Sequence, residues 1–393
     1  MIGGGFSGLA TAYYLSRAGI PVEVVEKSDR LGGLIATRQT PYGPVETAAM
    51  GLRHTAHVDA VCRDLELPML HSALSPSRAR YVYRGRPRRW PLNAGEWMSL
   101  AARLAVATAR GSRRPRPRET VNEWGARVLG RRATQWLIGP TLQSMYAGDP
   151  ARLSASLLFG AGQPAVRRAP KGVVAPALGM QQLIDALEQR LRARGVRICL
   201  NADATLNGST PAVICTSARD AAVCLRDAAP SASQALSTID MLPLVRITAF
   251  YQDDEPHQRG RGILFPRGEG IRAIGVLLDR SIFPGRDGQY CESWIYGGAA
   301  DRDVVHLSED DLGAAMDRDR EALTGRSAPP VARLVHRWHA ALPHYDLQLE
   351  SVQACGFDLP KGIFLVGNYV GGIGVTMLLE QAAAVASRVR EMA

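Results

Sequence analysis

Met1-Ile2-Gly3-Gly4-Gly5-Phe6-Ser7-Gly8 opens the chain, and these eight residues decide its fold class. The glycines at 3, 5 and 8 match the Gly-x-Gly-x-x-Gly turn that carries a strand into a helix around a dinucleotide. One glycine serves the tight turn, one the close approach of backbone to pyrophosphate, one the packing of helix on strand. The pyrophosphate then meets a helix N-terminus, where unpaired N–H groups and the helix dipole favour an anion. In a chain with 39 glycines the pattern alone is weak, so its flanks must carry it. Leu9 to Ala18 reads as an apolar helix, Gly19 as its stop, and Pro21 to Val25 as a short β-branched strand. Glu26 ends that strand 18 residues beyond Gly8, near the ~20 expected of a carboxylate that accepts hydrogen bonds from an adenosine ribose. An acid there favours FAD or NAD over NADP, whose 2′-phosphate it would repel. The strand that should precede the glycines is reduced to Met1 and Ile2. This predicts either a stunted first strand or a start a few residues inside a longer protein.

At 393 residues the chain exceeds one ordinary core, and two domains are expected. A hydrophobic content of 46% with 21% charge describes a globular protein, neither disordered nor membrane-spanning. No apolar run approaches the ~18 residues of a spanning helix, and no secretory leader is visible. The six cysteines are scattered, as reduced thiols in a cytoplasmic protein would be, and the eight histidines show no ligand spacing; no metal site is expected. The net charge of +10 is uneven. Arg78, Arg80, Arg84, Arg86, Arg88 and Arg89 crowd one segment, and Arg110, Arg113, Arg114, Arg116 and Arg118 another. Between them Trp97 to Val106 has helical spacing of apolar residues. Three readings stand: peripheral contact with an anionic (inner) membrane, an acidic substrate, or a solvated arginine-rich face. No nucleic-acid recognition motif accompanies the charge, so no nucleic-acid partner is expected.

Further along, Met180 to Arg194 is an amphipathic helix with Leu183, Ile184, Leu187 and Leu191 on one stripe. The strand Val196 to Leu200, a turn at Asn207-Gly208 and the strand Ala212 to Thr216 follow. Val245–Tyr251, Gly262–Phe265, Ala273–Leu278 and Glu292–Tyr296 read as strands of a second sheet. Gly362 to Val366 is a buried strand and Val375 to Met392 a closing helix. The expected fold class is therefore α/β: a discontinuous Rossmann-like FAD-binding domain (1–57, 170–225, 345–393), an inserted α+β substrate domain (58–92, 226–344) and a helical subdomain (93–169).

Two further glycine clusters bear on chemistry. Arg30-Leu31-Gly32-Gly33-Leu34 follows the ribose carboxylate and suits the longer reach of FAD rather than NAD. Val366-Gly367-Asn368-Tyr369-Val370-Gly371-Gly372-Ile373-Gly374-Val375-Thr376 is a second strand-to-helix turn whose N–H groups could face flavin or pyrophosphate; alone it could be a helix cap. No Ser/His/Asp or Cys/His nucleophile set emerges.

In these motifs the chain resembles the protoporphyrinogen oxidase family of the flavin amine oxidase superfamily, nearly end to end. The likeness adds Tyr146-Ala147-Gly148-Asp149-Pro150-Ala151-Arg152-Leu153-Ser154, Gly262-Ile263-Leu264-Phe265-Pro266, Ser281-Ile282-Phe283-Pro284-Gly285 and Leu342-Pro343-His344-Tyr345. The family-like Tyr-Ala-Gly-Asp-Pro run is the most specific of them.

The resemblance implies a GR2-type FAD domain, oxidation of a porphyrinogen-like ring by hydride transfer to flavin, oxygen as acceptor, and a helical region that in relatives touches the membrane. By position it implies FAD contacts at Gly3, Gly4, Gly5, Phe6, Ser7, Gly8, Glu26, Lys27, Gly33, Leu34, Ala48, Met50, Gly51, Ala204, Gly367, Asn368, Ile373, Gly374 and Val375. It places a substrate-carboxylate arginine at Arg53, with His54 and His57 beside it either lining the pocket or lying on the surface. Where the family commonly has Gly-Pro after the acid facing the flavin, this chain has Glu46-Thr47-Ala48-Ala49-Met50. An amine oxidase or desaturase of a specialised metabolite, and a flavin-binding protein without turnover, therefore remain alternatives. Oligomeric state is not legible.

Overall fold

The computed structural model describes residues 1–72, 80–160, 172–206, 211–252, 260–283, 285–286 and 288–392. The expected turn at Asn207-Gly208, Arg78, Pro284 and residues 161–169 of the helical stretch lie outside them. The chain divides into two compact units: Met1–Ser72, Arg168–Ile239 and Ser351–Ala393 form the first, Ala73–Arg167 and Asp240–Glu350 the second. Residues 58–72, expected with the substrate domain, cluster in the first unit. The helical stretch clusters in the second, with its sheet.

The first unit is built on a parallel sheet. Arg197–Cys199 pairs with Glu23–Val25, and Ala212–Ile214 with Ile363–Leu365. Ile2 joins the two pairs by parallel bridges to Val25 and Ile214. Ile2 N donates to Val213 O (2.9 Å), Cys215 N to Ile2 O (2.7 Å), Val25 N to Met1 O (2.9 Å) and Gly3 N to Val25 O (2.8 Å). Met1 to Gly3 thus lie at the sheet's centre, hydrogen-bonded on both sides.

The helices Phe6–Arg17 and Val375–Arg390 pack on each other and on this sheet through Leu15, Val213, Phe364, Val366, Val385 and Val389. The expected amphipathic helix spans Gln181–Ala193, and the same four residues are buried. A hairpin (Thr37–Thr40 with Gly43–Glu46) and a three-stranded sheet (Leu52–Arg53, Val173–Pro176, Met69–His71) complete the unit. Buried Glu46 accepts from Met180 N (3.0 Å) and Thr37 Oγ1 (2.8 Å), which ties the hairpin to the start of that helix.

The second unit carries a seven-stranded sheet in the order Ala332–Pro343, Met241–Phe250, Cys291–Gly297, Gly275–Leu277, Gly262–Leu264, Arg80–Tyr83, Pro87–Arg88. All neighbours are antiparallel except Gly262–Leu264 with Arg80–Tyr83. One face buries Val245, Ile247, Trp294 and Tyr296 with Leu312 and Met316 of the helix Glu309–Thr324. The twelve-residue edge strand Ala332–Pro343 has no counterpart among the expected elements. Its exposure pattern lacks the two-residue alternation by which a strand is read. The helices Ala94–Ala109, Val121–Val128 and Gly139–Tyr146 also belong to this unit.

Candidate functional site

The first unit holds every residue expected at a cofactor. Gly5 is the N-cap of the first helix, in extended conformation (φ −68°, ψ 176°), with no side-chain cap and no acid in the first turn. The leading N–H groups of that helix are left for an outside acceptor, and an anion suits them best. The glycines around it differ in kind. A Cβ on Gly8 would lie 1.9 Å from the Gly3 carbonyl oxygen, and one on Gly4 2.5 Å from Leu31 Cδ2; packing alone forces glycine at both. A Cβ on Gly5 would meet only Gly33 Cα, at 3.8 Å. Packing does not explain glycine there. The open face above a bare helix start is the cradle a pyrophosphate requires, so the residues fit the group.

The opposite wall is the Gly32-Gly33 loop. Gly32 N donates to Gly4 O at 2.9 Å, and Gly5 and Gly32 form a parallel bridge. Arg30, which the sequence offered only as part of a motif, clamps this loop by donating to the carbonyls of Leu31 (3.1 Å), Ile35 (3.2 Å) and Gly33.

Glu26 sits at the end of its strand as the sequence required. Its Oε2 accepts from Gly4 N (2.6 Å), and its Oε1 from Ser28 N (2.9 Å) and Ser28 Oγ (2.7 Å). Three donors fix the carboxylate beside the glycine turn, while the two oxygens keep acceptor capacity for a ribose diol. Ala202 N donates to Glu26 O (3.1 Å) and Asn201 N to Ser28 O (3.0 Å), so the segment leading to Ala204 runs alongside the ribose carboxylate. The Lys27 ammonium pairs with Asp220 at 2.8 Å, which leaves its backbone as the part available to a cofactor.

Leu34 O accepts from Thr47 Oγ1 (2.9 Å), joining that loop to the segment that continues as half-buried Ala48, Met50 and Gly51. Gly367 caps the short helix Asn368–Gly371, and Gly374 caps the closing helix, again with no side-chain cap and no acid in the first turn. A Cβ on Gly374 would meet only Met377, at 3.9 Å. Ile373 and Asn368 are half-buried beside it and Val375 is buried.

Arg53 is exposed on its strand, where its carbonyl accepts from Thr376 Oγ1 at 3.1 Å; its guanidinium meets no carboxylate among the described residues. The two histidines near it are neither pocket-lining by contact nor free on the surface. His54 Nε2 lies 2.7 Å from Asp59 Oδ1, with its ring edge-on to His71, and His57 Nε2 lies 2.7 Å from Tyr14 Oη. His54 is thus held by helix Ala56–Asp64, and His57, which lies on that helix, by Tyr14 of the first helix. Burial pushes the Cys62 thiol up to about 11 and the Cys215 thiol up to about 12, so neither is a ready nucleophile.

The second unit contributes a cleft the sequence did not single out. A cavity of about 210 Å³ is lined by Arg80, Met145, Arg261, Leu264, Val276 and Ile295, among others. Arg80 stays solvent-accessible there, while the protein around it desolvates its guanidinium and pulls its pKa below the ordinary arginine value. It meets no carboxylate among the described residues. The signal lay within the arginine crowd, where nothing distinguished Arg80 from its neighbours. Its place follows from parallel pairing with Gly262, almost two hundred residues away.

The Tyr146–Pro150 run proves architectural. Ala147 ends its helix in the left-handed conformation (φ 53°), and Asp149 N lies 3.4 Å from Nε2 of fully buried His344. The other side of that ring lies 3.5 Å from Asp240 and Asp346. These three side chains come within ligand distance of one another, but Arg302 and Arg152 already pair with the carboxylates. The cluster is thus balanced in charge without a cation.

A family model described as flavin containing amine oxidoreductase matches residues 6–389. The chain belongs to that family. It is an FAD-dependent oxidoreductase of an α/β flavin-binding fold. Protoporphyrinogen oxidase 1, chloroplastic, of Arabidopsis thaliana is 26% identical over 97% of this chain and 86% of its own length. Coproporphyrinogen III oxidase of Bacillus subtilis is 20% identical over 98% and 96%. The solved cyclohexylamine oxidase of Brevibacterium oxydans superposes with a TM-score of 0.73 at 18% identity, covering 99% of this chain and 98% of that one. The resemblance to protoporphyrinogen oxidases drawn from the motifs is borne out. Among the described residues no helix is long and apolar enough to cross a membrane.

Proposed function

We propose that the enzyme oxidises a bulky, carboxylate-bearing ring of the porphyrinogen type, with molecular oxygen as acceptor. The observation that carries this is Arg80, an arginine that meets no carboxylate among the described residues and lines a cleft otherwise walled largely by apolar side chains and backbone. A guanidinium in such a setting takes a carboxylate as a bidentate partner. At about 210 Å³ the cleft falls below the ~300–1,000 Å³ of a whole-ligand pocket. It therefore suits an acidic arm of a larger substrate rather than the ring itself.

Flavin, when bound, supplies the hydride acceptor. The protein's own part is to hold it and orient the substrate. Gly5 and the bare helix start receive the pyrophosphate. Glu26, fixed by Gly4 N and Ser28, receives the ribose, and the Gly374 helix start offers its N–H groups to negative charge on the ring. The cofactor positions implied by the resemblance are proposed in these roles, and Arg53 as a contact for a substrate carboxylate.

The test is anaerobic reduction of the yellow protein by coproporphyrinogen or protoporphyrinogen, compared with the same macrocycle as its methyl ester. Fast bleaching by the acid, slower bleaching by the ester, and loss of that difference in Arg80→Ala support the reading. No bleaching by the porphyrinogen, or identical acid and ester kinetics in the unaltered protein, overturns it.

A further inference from the structure

The fully buried ring of His344 joins three segments of the second unit. Its Nε2 receives the Asp149 N–H at 3.4 Å and is therefore the acceptor nitrogen. The ring proton then sits on Nδ1, which lies 3.5 Å from Asp240 and 3.5 Å from Asp346. The charges around it cancel already: Arg302 pairs with Asp240, and Arg152 lies 3.6 Å from Asp240 and 3.4 Å from Asp346. The Asp149 carboxylate is taken by the Ala151 N–H at 2.9 Å. Packing matches this polar arrangement. A Cβ on Gly148 would lie 3.1 Å from His344 Cδ2 and 2.5 Å from Leu153. Ser154 N donates to Tyr345 O (2.8 Å) and Leu153 bridges Asp346, so the chain beyond the turn runs along residues 345–346. What the turn carries is a wall of the cleft. Ser144 and Met145 line it together with Arg80 and occupy the last turn of the helix Gly139–Tyr146. That helix ends at left-handed Ala147, whose carbonyl accepts from Ala299 N (2.8 Å) and which packs with Leu242 and Ile274. Two residues further on, the His344 ring takes the Asp149 N–H.

We infer that His344 is a positioning residue for the cleft: as a neutral ring it pins the turn after Tyr146, and so holds Ser144 and Met145 in the wall they share with Arg80. The role rests on the reading of that cleft as the seat of an acidic substrate arm. A ring that only filled space would serve in either charge state; this one serves in one. A proton on Nε2 sets a donor against the Asp149 N–H. It also adds a positive charge to a set in which Asp240 and Asp346 already balance Arg152 and Arg302. Burial pushes the imidazole below the ordinary histidine value, with Asp346 and Asp240 opposing that shift and Arg152 assisting it. The ring is therefore neutral at pH 7 and takes its second proton only below about 6.5. Because the folded value lies below the unfolded one, the pinning is complete above that pH and is lost as the pH falls.

Glutamine is the conservative replacement, since its amide oxygen accepts from the Asp149 N–H and its amide nitrogen donates to the carboxylates without titrating. Two quantities are followed between about pH 7.5 and 5.5, across the histidine range. One is steady-state oxidation of coproporphyrinogen by the holoenzyme; the other is deuterium uptake at residues 145–149 without substrate, corrected for the intrinsic pH dependence of amide exchange. In the parent, KM should rise about five- to tenfold towards the acid end, the worth of one hydrogen bond. kcat should hold within about twofold, as expected when only uniform binding is lost, and protection at 145–149 should fall by a factor like that in KM. His344→Gln should match the parent at neutral pH and show neither change in acid. His344→Leu, which leaves the Asp149 N–H without its acceptor, should show the raised KM and the fast exchange at every pH; if it does not fold, the parent and His344→Gln decide between them. An acid response in His344→Gln equal to the parent's overturns the inference. So does a parent whose exchange at 145–149 ignores pH, or a His344→Gln protein with raised KM at neutral pH. If no porphyrinogen is oxidised by any of these proteins, the substrate reading fails and the exchange arm still decides the pinning. Protection lost in acid by the parent and kept by His344→Gln upholds it, and equal protection overturns it.

Discussion

Gly8→Ala and Gly5→Ala should part company, because one glycine is demanded by packing and the other by a ligand. A methyl on Gly8 would lie 1.9 Å from the Gly3 oxygen, whereas such contacts rarely fall below about 3 Å, so the first helix must retreat about 1 Å from the central strand. That strand cannot yield, since Met1, Ile2 and Gly3 are hydrogen-bonded to both neighbours. Overpacking of this kind costs about 1–3 kcal/mol, and a rigid backbone obstacle puts it near the top of that range. For a unit of this size the loss corresponds to a fall of about 5–10 °C in Tm.

Gly5 has φ −68° and ψ 176°, open to any residue, and its added methyl makes only a 3.8 Å contact. An alanine N-cap costs under about 1 kcal/mol relative to glycine, so the flavin-free protein should melt within a few degrees of normal. The methyl would, however, occupy the cradle above the helix start. FAD affinity should drop at least tenfold, which is about 1.4 kcal/mol. Thermal melting of the deflavinated variants with and without added FAD, joined to titration of FAD by fluorescence quenching, reads both quantities. A Gly8→Ala protein as stable as the parent refutes the packing argument. A Gly5→Ala protein with parental FAD affinity refutes the cradle.

The second unit makes two further predictions. Glu292 is fully buried, accepts from Tyr290 Oη and Trp294 Nε1 at 3.1 Å each, and lies 3.3 Å from Arg320, whose guanidinium stacks 3.8 Å above the Tyr251 ring. Arg320→Met alone should cost about 3–5 kcal/mol by stranding the carboxylate, and Arg320→Met with Glu292→Gln should recover part of it; urea unfolding that finds the double change no milder than the single one contradicts this. At the start of the exposed helix, the hydrogen bond from Arg84, helped by Asn93 N–H, holds the Glu96 carboxyl down to about 2. Its folded value lies below its unfolded one, near 4.3. The stabilisation is therefore present above that value and lost as pH falls through the window from 4 to 2. Glu96→Gln should destabilise by about 1 kcal/mol at pH 7, with the gap to the parent closing towards pH 3; a gap of constant size across that range would show the charge to be idle.

The first unit was legible because its signals are local. Glycine spacing, the apolar stripe of Leu183, Ile184, Leu187 and Leu191, and an acid at a strand end are set within one turn or one strand, and each fell where expected to within a few residues. The second unit was less so, because its key features arise from pairing between distant segments. The strand Ala332–Pro343 mixes arginine, histidine and tryptophan at a sheet edge and shows no clean alternation. Arg80 reads as one basic residue in a run until Gly262–Leu264 settles beside it. His54 and His57 read as pocket or surface until Asp59 and Tyr14 take their ring nitrogens.

The bonds of Met1, Ile2 and Gly3 fix much of the site. In a doubly wound sheet the ligand sits outside the carboxyl ends of the strands, where the glycine turn leaves. Length at the amino end adds sheet area but places no cofactor contact. What must be fixed is the exit at Gly3, and it is fixed twice: Gly3 N donates to Val25 O on one side, and Cys215 N donates to Ile2 O on the other. Those neighbours are the strands that deliver Glu26 and, through Ala212–Ile214 and its partner Ile363–Leu365, the Gly367 turn. Ile2 thus sets the register between the ribose carboxylate and the second glycine turn. A slip of the central strand by one residue would move the Gly5 cradle out of line with Glu26. The ladder bonds of three residues determine the geometry of the flavin site more directly than the extent of the strand they belong to.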